Sequence, residues 1–342
     1  MKKIKYYSVR LIISLLSIIF VVGVVEICLK IFGPKYYRFN NLSQEYYTNP
    51  RGYHMAIREE GIHTVYGLNY NEDAKGYRVS SDGYEQKEVE NPMKYIAALG
   101  DSFTYGRGVK YADIYMTRLR RRLNQDVKKI EVKNYGRVNA NIQDILNIYL
   151  RESAELPQGS VVIYGFVLND FGLKYSTPIK GLDFIDINNG GNKFNVLRNR
   201  SAFINLIFHC IEIRQLHTYT IDAYLNSFEG QNAEEGFTVL RQLNQSILSD
   251  GNIPLLVLFP LLYDFENYKF KSVHEKIEIF CADNQILFLD LLPAFSKYKA
   301  KELWANYTDH HPNEIAHRIA ADEIYRFIKN KLTVKFSGGV IQ

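Results

Sequence analysis

The chain has 342 residues, 46% hydrophobic and 23% charged, which is enough apolar material for one large domain or two small ones. Its net charge of +5 is modest and partly N-terminal, so it does not predict nucleic-acid binding. The only cysteines, Cys28, Cys210 and Cys281, lie far apart in the sequence and predict neither a zinc site nor a disulfide framework. The 26 tyrosines indicate either a surface that meets sugars or membrane, or simply lineage-specific amino-acid usage.

Residues 1–33 have the pattern of a retained signal anchor. Four basic residues precede the apolar run Leu11–Val25, and the stretch as far as Phe32 is long enough for a span of ~20 residues if Glu26 and Lys30 pair at the far interface. The alternative is a cleaved signal peptide, but no small-x-small site follows the apolar run. The basic residues predict a cytoplasmic N-terminus and an extracytoplasmic remainder, in the periplasm or at the cell surface.

Residues 34–93 differ from both neighbouring regions, being rich in Tyr, Asn, Gly and charged residues. Within them Gly76–Tyr84 has the pattern of a strand followed by an Asp82-Gly83 turn. We predict a small, irregular β-containing segment that packs on the main domain.

From residue 94 to 332 the pattern alternates between strand and helix. The predicted strands are Tyr95–Leu99, Ile130–Lys133, Val161–Gly165, Leu255–Phe259 and Ile286–Leu289. The predicted helices are Ala112–Asn124, Ile142–Ser153, Glu234–Ser249, Ser272–Ala282 and Asn313–Lys329. This alternation predicts an α/β fold, a three-layer α/β/α sandwich around a five-stranded parallel sheet, with residues 333–342 as a tail.

Residues 171–235 interrupt the alternation and are too long for an ordinary loop. Residues 201–208 within them have a helical pattern. An insertion after a strand end is a common position for a lid or substrate-binding cap, and we interpret His209 and Cys210 as packing residues.

Two of the predicted strands end in residues suited to acyl-transfer chemistry. Gly100-Asp101-Ser102 follows the first strand, at the sheet edge where open α/β proteins bind ligands. Asn169 follows the third strand, where its amide can cap the next element or donate to a developing oxyanion. Taken alone, Ser102 is equally well explained as a helix cap at a strand-to-helix turn.

A third set of polar residues, Asp309, His310 and His311, precedes the last helix. A serine hydroxyl needs an imidazole to take its proton and a carboxylate to hold that imidazole in the right tautomer, and such residues are present here. The alternative for this stretch is a loop and helix cap, because Pro312 and Asn313 suit a helix start.

Together, Gly100-Asp101-Ser102, Asn169-Asp170 and Asp309-x-His311-Pro312-Asn313 resemble the three blocks of the SGNH (GDSL-type) hydrolases, over about residues 94–332. The resemblance extends to the membrane-anchored bacterial branch, which has an N-terminal helix and a segment like Gly76–Gly83. It implies a flavodoxin-like α/β/α sandwich, with Ser102 as nucleophile, His311 as base and Asn169 as oxyanion donor.

Two departures from the family pattern leave roles open. The family glycine that completes the oxyanion hole falls on Asn139, whereas Gly136 lies three residues earlier, and either backbone N–H can serve. The family carboxylate usually stands three residues before the histidine, where this chain has Thr308. We assign the orienting role to Asp309, because no other carboxylate is within reach by sequence, and keep His310 as the rival base.

The resemblance implies a serine esterase that removes acyl groups, O-acetyl among them, from an extracytoplasmic carbohydrate or lipid. The alternatives are an O-acyltransferase of a cell-surface polysaccharide, which uses the same acyl-enzyme, and a catalytically inactive carbohydrate-binding domain. No metal or organic cofactor and no nucleic-acid partner is implied. The partners expected are the acylated substrate and the membrane; the oligomeric state is not predicted.

Overall fold

The computed structural model describes residues 2–32, 61–65, 68–80, 84, 89–126, 129–172, 200–204, 206–207, 220–306 and 309–336. The chain divides into two compact units, one of residues 1–54 and 175–222, the other of residues 55–174 and 223–342. The predicted Asp82-Gly83 turn, His209, Cys210 and the last six residues of the predicted tail lie outside the described residues.

The first unit contains the N-terminal helix α1 (Lys2–Phe32). Its segment Arg10–Ile31 is 22 residues long and apolar, and none of its most apolar part is buried inside the protein. At 1.5 Å per residue this length is about 33 Å, close to the ~30 Å of a bilayer core. Among the described helices α1 alone has the length and composition to cross a membrane.

The second unit is built around a five-stranded parallel sheet. Its spatial order is β5-β4-β6-β7-β8, the order of a doubly wound, flavodoxin-like sheet. The strands are β4 (Lys94–Gly100), β5 (Ile130–Asn134), β6 (Val161–Phe166), β7 (Ile253–Leu258) and β8 (Leu287–Asp290).

Helices cover both faces of this sheet. Ile96 and Ala98 of β4 belong to the core formed with helices α3 (Tyr115–Asp126) and α8 (Glu314–Phe336). Ala97 and Leu99 are equally buried on the other face of the sheet. Because alternate residues of a strand point to opposite faces, burial of all four requires a layer of helices on each side. The helices are α2 (Ser102–Tyr105), α3 (Tyr115–Asp126), α4 (Ile142–Glu152), α5 (Gly230–Ser249), α6 (Lys271–Asp283), α7 (Leu292–Phe295) and α8 (Glu314–Phe336).

The predicted fold class is confirmed, with differences at the element ends. The last helix runs to Phe336 instead of Lys329, and Ile324, Ile328 and Leu332 are buried along it. The helix predicted from Ala112 begins instead with a 3-10 turn at Tyr111–Asp113 before α3. Two short sheets complete the unit: an antiparallel one of β1 (Gly61–Val65), β2 (Leu68–Glu72) and β3 (Arg78–Val79), and a hairpin of β9 (Trp304–Asn306) and β10 (Asp309–Pro312).

The β2–β3 segment contacts the loop that follows α2. The buried Arg78 guanidinium donates to the carbonyls of Gly106 and Val109, and lies over the Tyr70 ring at 4.2 Å. The Tyr70 hydroxyl in turn accepts the Gly108 N–H at 2.9 Å. These bonds hold the loop, because a buried carbonyl without a donor would be destabilising.

His317 of α8 is completely buried beneath the sheet edge, beside Tyr115. Its Nδ1 accepts the Tyr115 N–H at 3.2 Å, and burial lowers the pKa of His317 to about 3. In the unfolded chain this pKa is near 6.5, so below that pH the unfolded state binds a proton that the folded state does not.

We therefore expect the free energy of unfolding to fall as the pH drops from 6.5 towards 3, with His317 contributing up to about 1.4 kcal/mol per pH unit. Denaturant unfolding of wild type and His317→Gln at pH 7 and pH 4.5 measures this contribution. The variant should lose less stability between the two pH values than the wild type. An equal loss in both proteins would contradict the assignment.

Candidate active site

Ser102 stands at the first position of α2, directly after the end of β4. The Asp101 side chain caps this short helix by accepting the Phe103 N–H at 2.8 Å, and the helix ends after one turn at Gly106, which has φ 84°. A left-handed residue stops the helix at once. The serine is consequently held on a sharp strand-to-helix turn, with 6% of its surface exposed.

Two glycines make room for this turn. Gly100 of β4 and Gly165 of β6 are paired across the sheet. A Cβ at Gly100 would lie 2.1 Å from Thr104 Oγ1, and a Cβ at Gly165 would lie 2.5 Å from the same atom. The Thr104 hydroxyl fills the space that the missing side chains leave and is 3.0 Å from the Tyr115 hydroxyl. Neither glycine can be replaced without moving α2.

Asn169 lies beside the serine because its strand is the neighbour of β4. It follows β6 in the 3-10 turn Leu168–Phe171, and β4 and β6 flank the point where the strand order reverses. Ligands bind at this switch point in doubly wound sheets. Asn169 Nδ2 donates to Asp101 Oδ2 at 3.1 Å.

This bond was not predicted from the sequence and gives Asp101 a second contact within the site. An amide NH2 has two hydrogens, so that one can bind Asp101 while the other points elsewhere. Asp101 thereby fixes which end of the Asn169 amide carries the donors.

His311 of β10 reaches the same serine from the C-terminal end of the chain. Its Nε2 lies 2.9 Å from Ser102 Oγ, whereas Asp101 Oδ2 lies 3.4 Å from that oxygen. The imidazole is therefore the nearer partner of the hydroxyl. Phe103 packs beside the ring, with centroids 5.6 Å apart.

The neighbouring histidine has a different environment. The His310 ring stacks on the Trp304 indole, with centroids 3.8 Å apart and an angle of 16° between the planes. The Trp304 indole N–H donates to the Leu262 carbonyl at 2.8 Å. The His310 ring therefore packs on Trp304 within the hairpin, whereas the His311 ring contacts the Ser102 hydroxyl. Asp309 is the first residue of β10, and its side chain and Thr308 lie outside the described residues.

The two candidate oxyanion donors after β5 differ in their contacts. The Gly136 N–H donates to Asn134 Oδ1 at 2.9 Å, and Asn134 Nδ2 donates to the Thr104 carbonyl at 2.8 Å. The Gly136 N–H is therefore already bonded. Asn139 has φ 62°, a conformation that glycine adopts easily and Asn tolerates, and its N–H has no partner among the described residues.

Two buried carboxyl groups lie close to Asn169. Burial raises the pKa of Asp101 above its usual range, opposed by the hydrogen bonds from Phe103 and Asn169 and by the charge of His311. Burial, together with the Asp101 charge, raises the pKa of Asp170 well above its usual range. Asp170 Oδ2 accepts from the Tyr164 hydroxyl at 2.8 Å and from the Val167 N–H at 3.0 Å, which fixes the turn that carries Asn169.

The side chains that the site assembles are a hydroxyl, an imidazole, an amide and carboxyl groups. In the described part of the chain, no three His, Cys, Asp or Glu side chains are close enough to hold a metal ion. A serine bonded to a histidine at the carboxyl edge of an α/β sheet is the arrangement that serine hydrolases use.

The chain belongs to the GDSL-like lipase/acylhydrolase family, whose model matches residues 98–319, more than half of its length. It is therefore, at the level of the family, an ester-acting hydrolase. No curated protein matches the chain.

Solved structures with a similar fold include TesA, with 12% identity and a TM-score of 0.45, covering 69% of this chain and 99% of that one. The lipase/acylhydrolase from Enterococcus faecalis has 15% identity and a TM-score of 0.42, covering 70% and 97%. Axe2, an acetylxylan esterase from Geobacillus stearothermophilus, has 14% identity and a TM-score of 0.42, covering 70% and 96%. Identities and scores this low do not bear on the substrate of this chain.

The Asp101–Asn169 bond yields a sharp prediction. Asp101→Asn still accepts the Phe103 N–H through its amide oxygen but turns an NH2 towards Asn169, so that the Asn169 amide must flip and present its oxygen. Loss of one oxyanion donor lowers kcat about 10²–10³-fold. We expect that fall in kcat with little change in KM or in Tm, measured on a p-nitrophenyl ester.

The matched control is Asp170→Asn. The Asp170 carboxyl is equally buried, but its described hydrogen bonds go to Tyr164 and Val167 rather than to the side chain of Asn169 or Ser102. Its amide oxygen can accept both existing hydrogen bonds, so kcat should stay close to that of the wild type. Equal losses of kcat in the two variants would argue against a specific role for Asp101.

Proposed function

We propose that the chain is a membrane-anchored serine esterase that removes acyl groups, O-acetyl among them, from an extracytoplasmic carbohydrate or lipid. The observation that carries the proposal is the 2.9 Å contact between His311 Nε2 and Ser102 Oγ at the switch point of the sheet. The family match supports ester chemistry, and the 22-residue apolar stretch of α1 supports the anchor.

In this mechanism Ser102 Oγ attacks the ester carbonyl carbon while His311 Nε2 takes the hydroxyl proton. The tetrahedral oxyanion accepts hydrogen bonds from Asn169 Nδ2 and from the N–H of Asn139. When the C–O bond to the alcohol breaks, His311 returns the proton to the leaving oxygen and Ser102 keeps the acyl group. A water molecule, deprotonated by His311, then attacks the acyl carbon. The bond from this carbon to Ser102 Oγ breaks, His311 returns the proton to Ser102 Oγ, and the acid leaves.

The carboxylates have supporting roles. Asp309 is proposed to hold the His311 ring in the tautomer that leaves Nε2 free to accept the proton. Asp101 is proposed to orient Asn169 and, as a buried negative charge close to His311, to stabilise the imidazolium that forms during the reaction. Asn139 is preferred to Gly136 as the second donor because the Gly136 N–H is bonded to Asn134.

The basic residues Lys2, Lys3, Lys5 and Arg10 at the start of α1 support a cytoplasmic N-terminus, and we propose that the hydrolase unit lies outside the cytoplasm. Full-length protein in detergent should hydrolyse p-nitrophenyl acetate faster than esters of long acyl chains. Adding a sugar acceptor and following released acid against acylated sugar separates hydrolysis from acyl transfer. Absence of any ester turnover or acyl-enzyme formation would refute the proposal.

A further inference from the structure

The first unit contains a contact that the proposed chemistry does not explain. Glu26 is a carboxylate inside the apolar stretch of α1, and the insertion between β6 and α5 supplies three donors to it. Ser201 Oγ lies 2.8 Å from Glu26 Oε2, the Ala202 N–H donates to Oε1 at 2.9 Å, and the Phe203 N–H donates to Oε2 at 2.8 Å. The Glu26 side chain is 19% exposed.

Lys30, one turn further along α1, completes this contact. Its Nζ lies 2.8 Å from Glu26 Oε1 and 3.4 Å from the Arg200 carbonyl oxygen. A charged side chain within a membrane span is destabilising unless it is paired. Here the carboxylate has one cationic and three hydrogen-bonding partners, so the start of residues 200–207 is attached to α1 at the level of Glu26.

The position of Glu26 along α1 sets the depth of that attachment. It lies five residues before Ile31, the end of the apolar stretch, which corresponds to about 7.5 Å of helix. Helices that lie in a membrane interface are buried about 5–10 Å into the headgroup and acyl boundary. Residues bonded to Glu26 are therefore at interfacial depth when α1 spans a bilayer.

The composition of the attached residues suits that depth. Ala202, Phe203, Ile204, Leu206 and Ile207 are all apolar, and 44% of the Ile207 surface is exposed. Contact with lipid at the headgroup boundary would remove this apolar surface from water, which is favourable.

We infer that residues 200–204 and 206–207 form a membrane-interface element, held against α1 by Glu26, with Phe203, Ile204 and Ile207 in contact with lipid. The partner is the surface of the bilayer that α1 crosses, so the inference rests on the proposed anchor and is independent of the esterase chemistry. The insertion leaves the hydrolase unit after Gly172, three residues beyond Asn169. It would therefore attach the chain to the membrane at a second point, besides α1.

The test uses full-length protein in phosphatidylcholine vesicles, with one labelled cysteine at a time. Ile207→Cys, in a background of Cys28→Ser and Cys210→Ser, carries an NBD fluorophore, while Cys281 is completely buried and stays unlabelled. Leu248→Cys in the same background is the matched control, because Leu248 is also 44% exposed but lies on α5. Native Cys28, exposed on α1, reports on the anchor when Cys210→Ser is the only change.

We expect emission from the labels at positions 207 and 28 to be blue-shifted and quenched by lipids bearing a nitroxide near the headgroup, and emission from position 248 to be unaffected. Glu26→Ala should abolish quenching at position 207 and leave that at position 28. Quenching at position 28 without quenching at position 207, or equal quenching at positions 207 and 248, would overturn the inference. Absence of quenching at position 28 would overturn the anchor as well, and ester turnover in the same vesicles reports separately on the proposed function.

Discussion

Ser102→Ala is expected to reduce ester turnover by at least ~10⁴-fold, because nucleophile and base act as one unit and the remaining site only orients the ester. The variant should keep the wild-type Tm, since within the described part of the chain the lost oxygen is hydrogen-bonded to His311 and Asp101 alone. A fluorophosphonate probe should label the wild type and fail to label the variant. Activity and labelling are measured on the same preparations.

Ser246→Ala is the matched control for this experiment. Ser246 is partly exposed on α5, and among the described residues its hydroxyl donates to the Gln242 carbonyl of the same helix and to no other group. Both turnover and labelling should be unchanged. Labelling that persists in Ser102→Ala would show that another residue attacks the probe.

The second large effect is expected from His311→Ala. Without an imidazole 2.9 Å from Ser102 Oγ, the hydroxyl keeps its proton and the attack on the ester becomes slow. We expect a loss of turnover similar to that of Ser102→Ala, and little further loss when both residues are replaced. Rates are measured as kcat on a p-nitrophenyl ester.

His310→Ala is the internal control, because the His310 ring stacks on Trp304 rather than bonding to the serine. It should retain most of the wild-type kcat. The kcat of Asp309→Asn should lie between those of His310→Ala and His311→Ala, because the imidazole of His311 remains but its tautomer is no longer fixed. An inactive His310→Ala beside an active His311→Ala would reverse the assignment, and a harmless Asp309→Asn would point to a Ser102–His311 dyad.

Local sequence is sufficient to predict the fold class and the strand-to-helix turn that carries Ser102. An apolar run that ends in Gly-Asp-Ser is a buried strand followed by a tight turn, and the structure has β4 and α2 there. Counting from Asn134 put the family's glycine position at Asn139, and the φ of 62° at this residue explains why glycine suits it. Both patterns involve neighbouring residues only.

Contacts between residues that are far apart in the sequence cannot be predicted from such local patterns. Asp101 and Asn169 are 68 residues apart, and their bond depends on β6 lying next to β4 in the sheet. The bond from Gly136 to Asn134 is local, but nothing in the sequence distinguishes it from a free N–H aimed at substrate. The Arg78 contacts with Gly106 and Val109 likewise required the position of β3 in space.

The Arg78 contacts also show that the part of the chain that folds together is longer than the part that matches the family model. The family match begins at residue 98, yet the guanidinium that holds the loop after α2 stands twenty residues upstream, and Leu332 is buried thirteen residues beyond the match. A gene fragment cut at the family limits would lack both, leaving the Gly106 and Val109 carbonyls without their donor and core apolar surface in water. Chimeras that exchange α1 therefore need their junction before Gly61, because β1 pairs with β2 and both belong to the same compact unit as the hydrolase sheet.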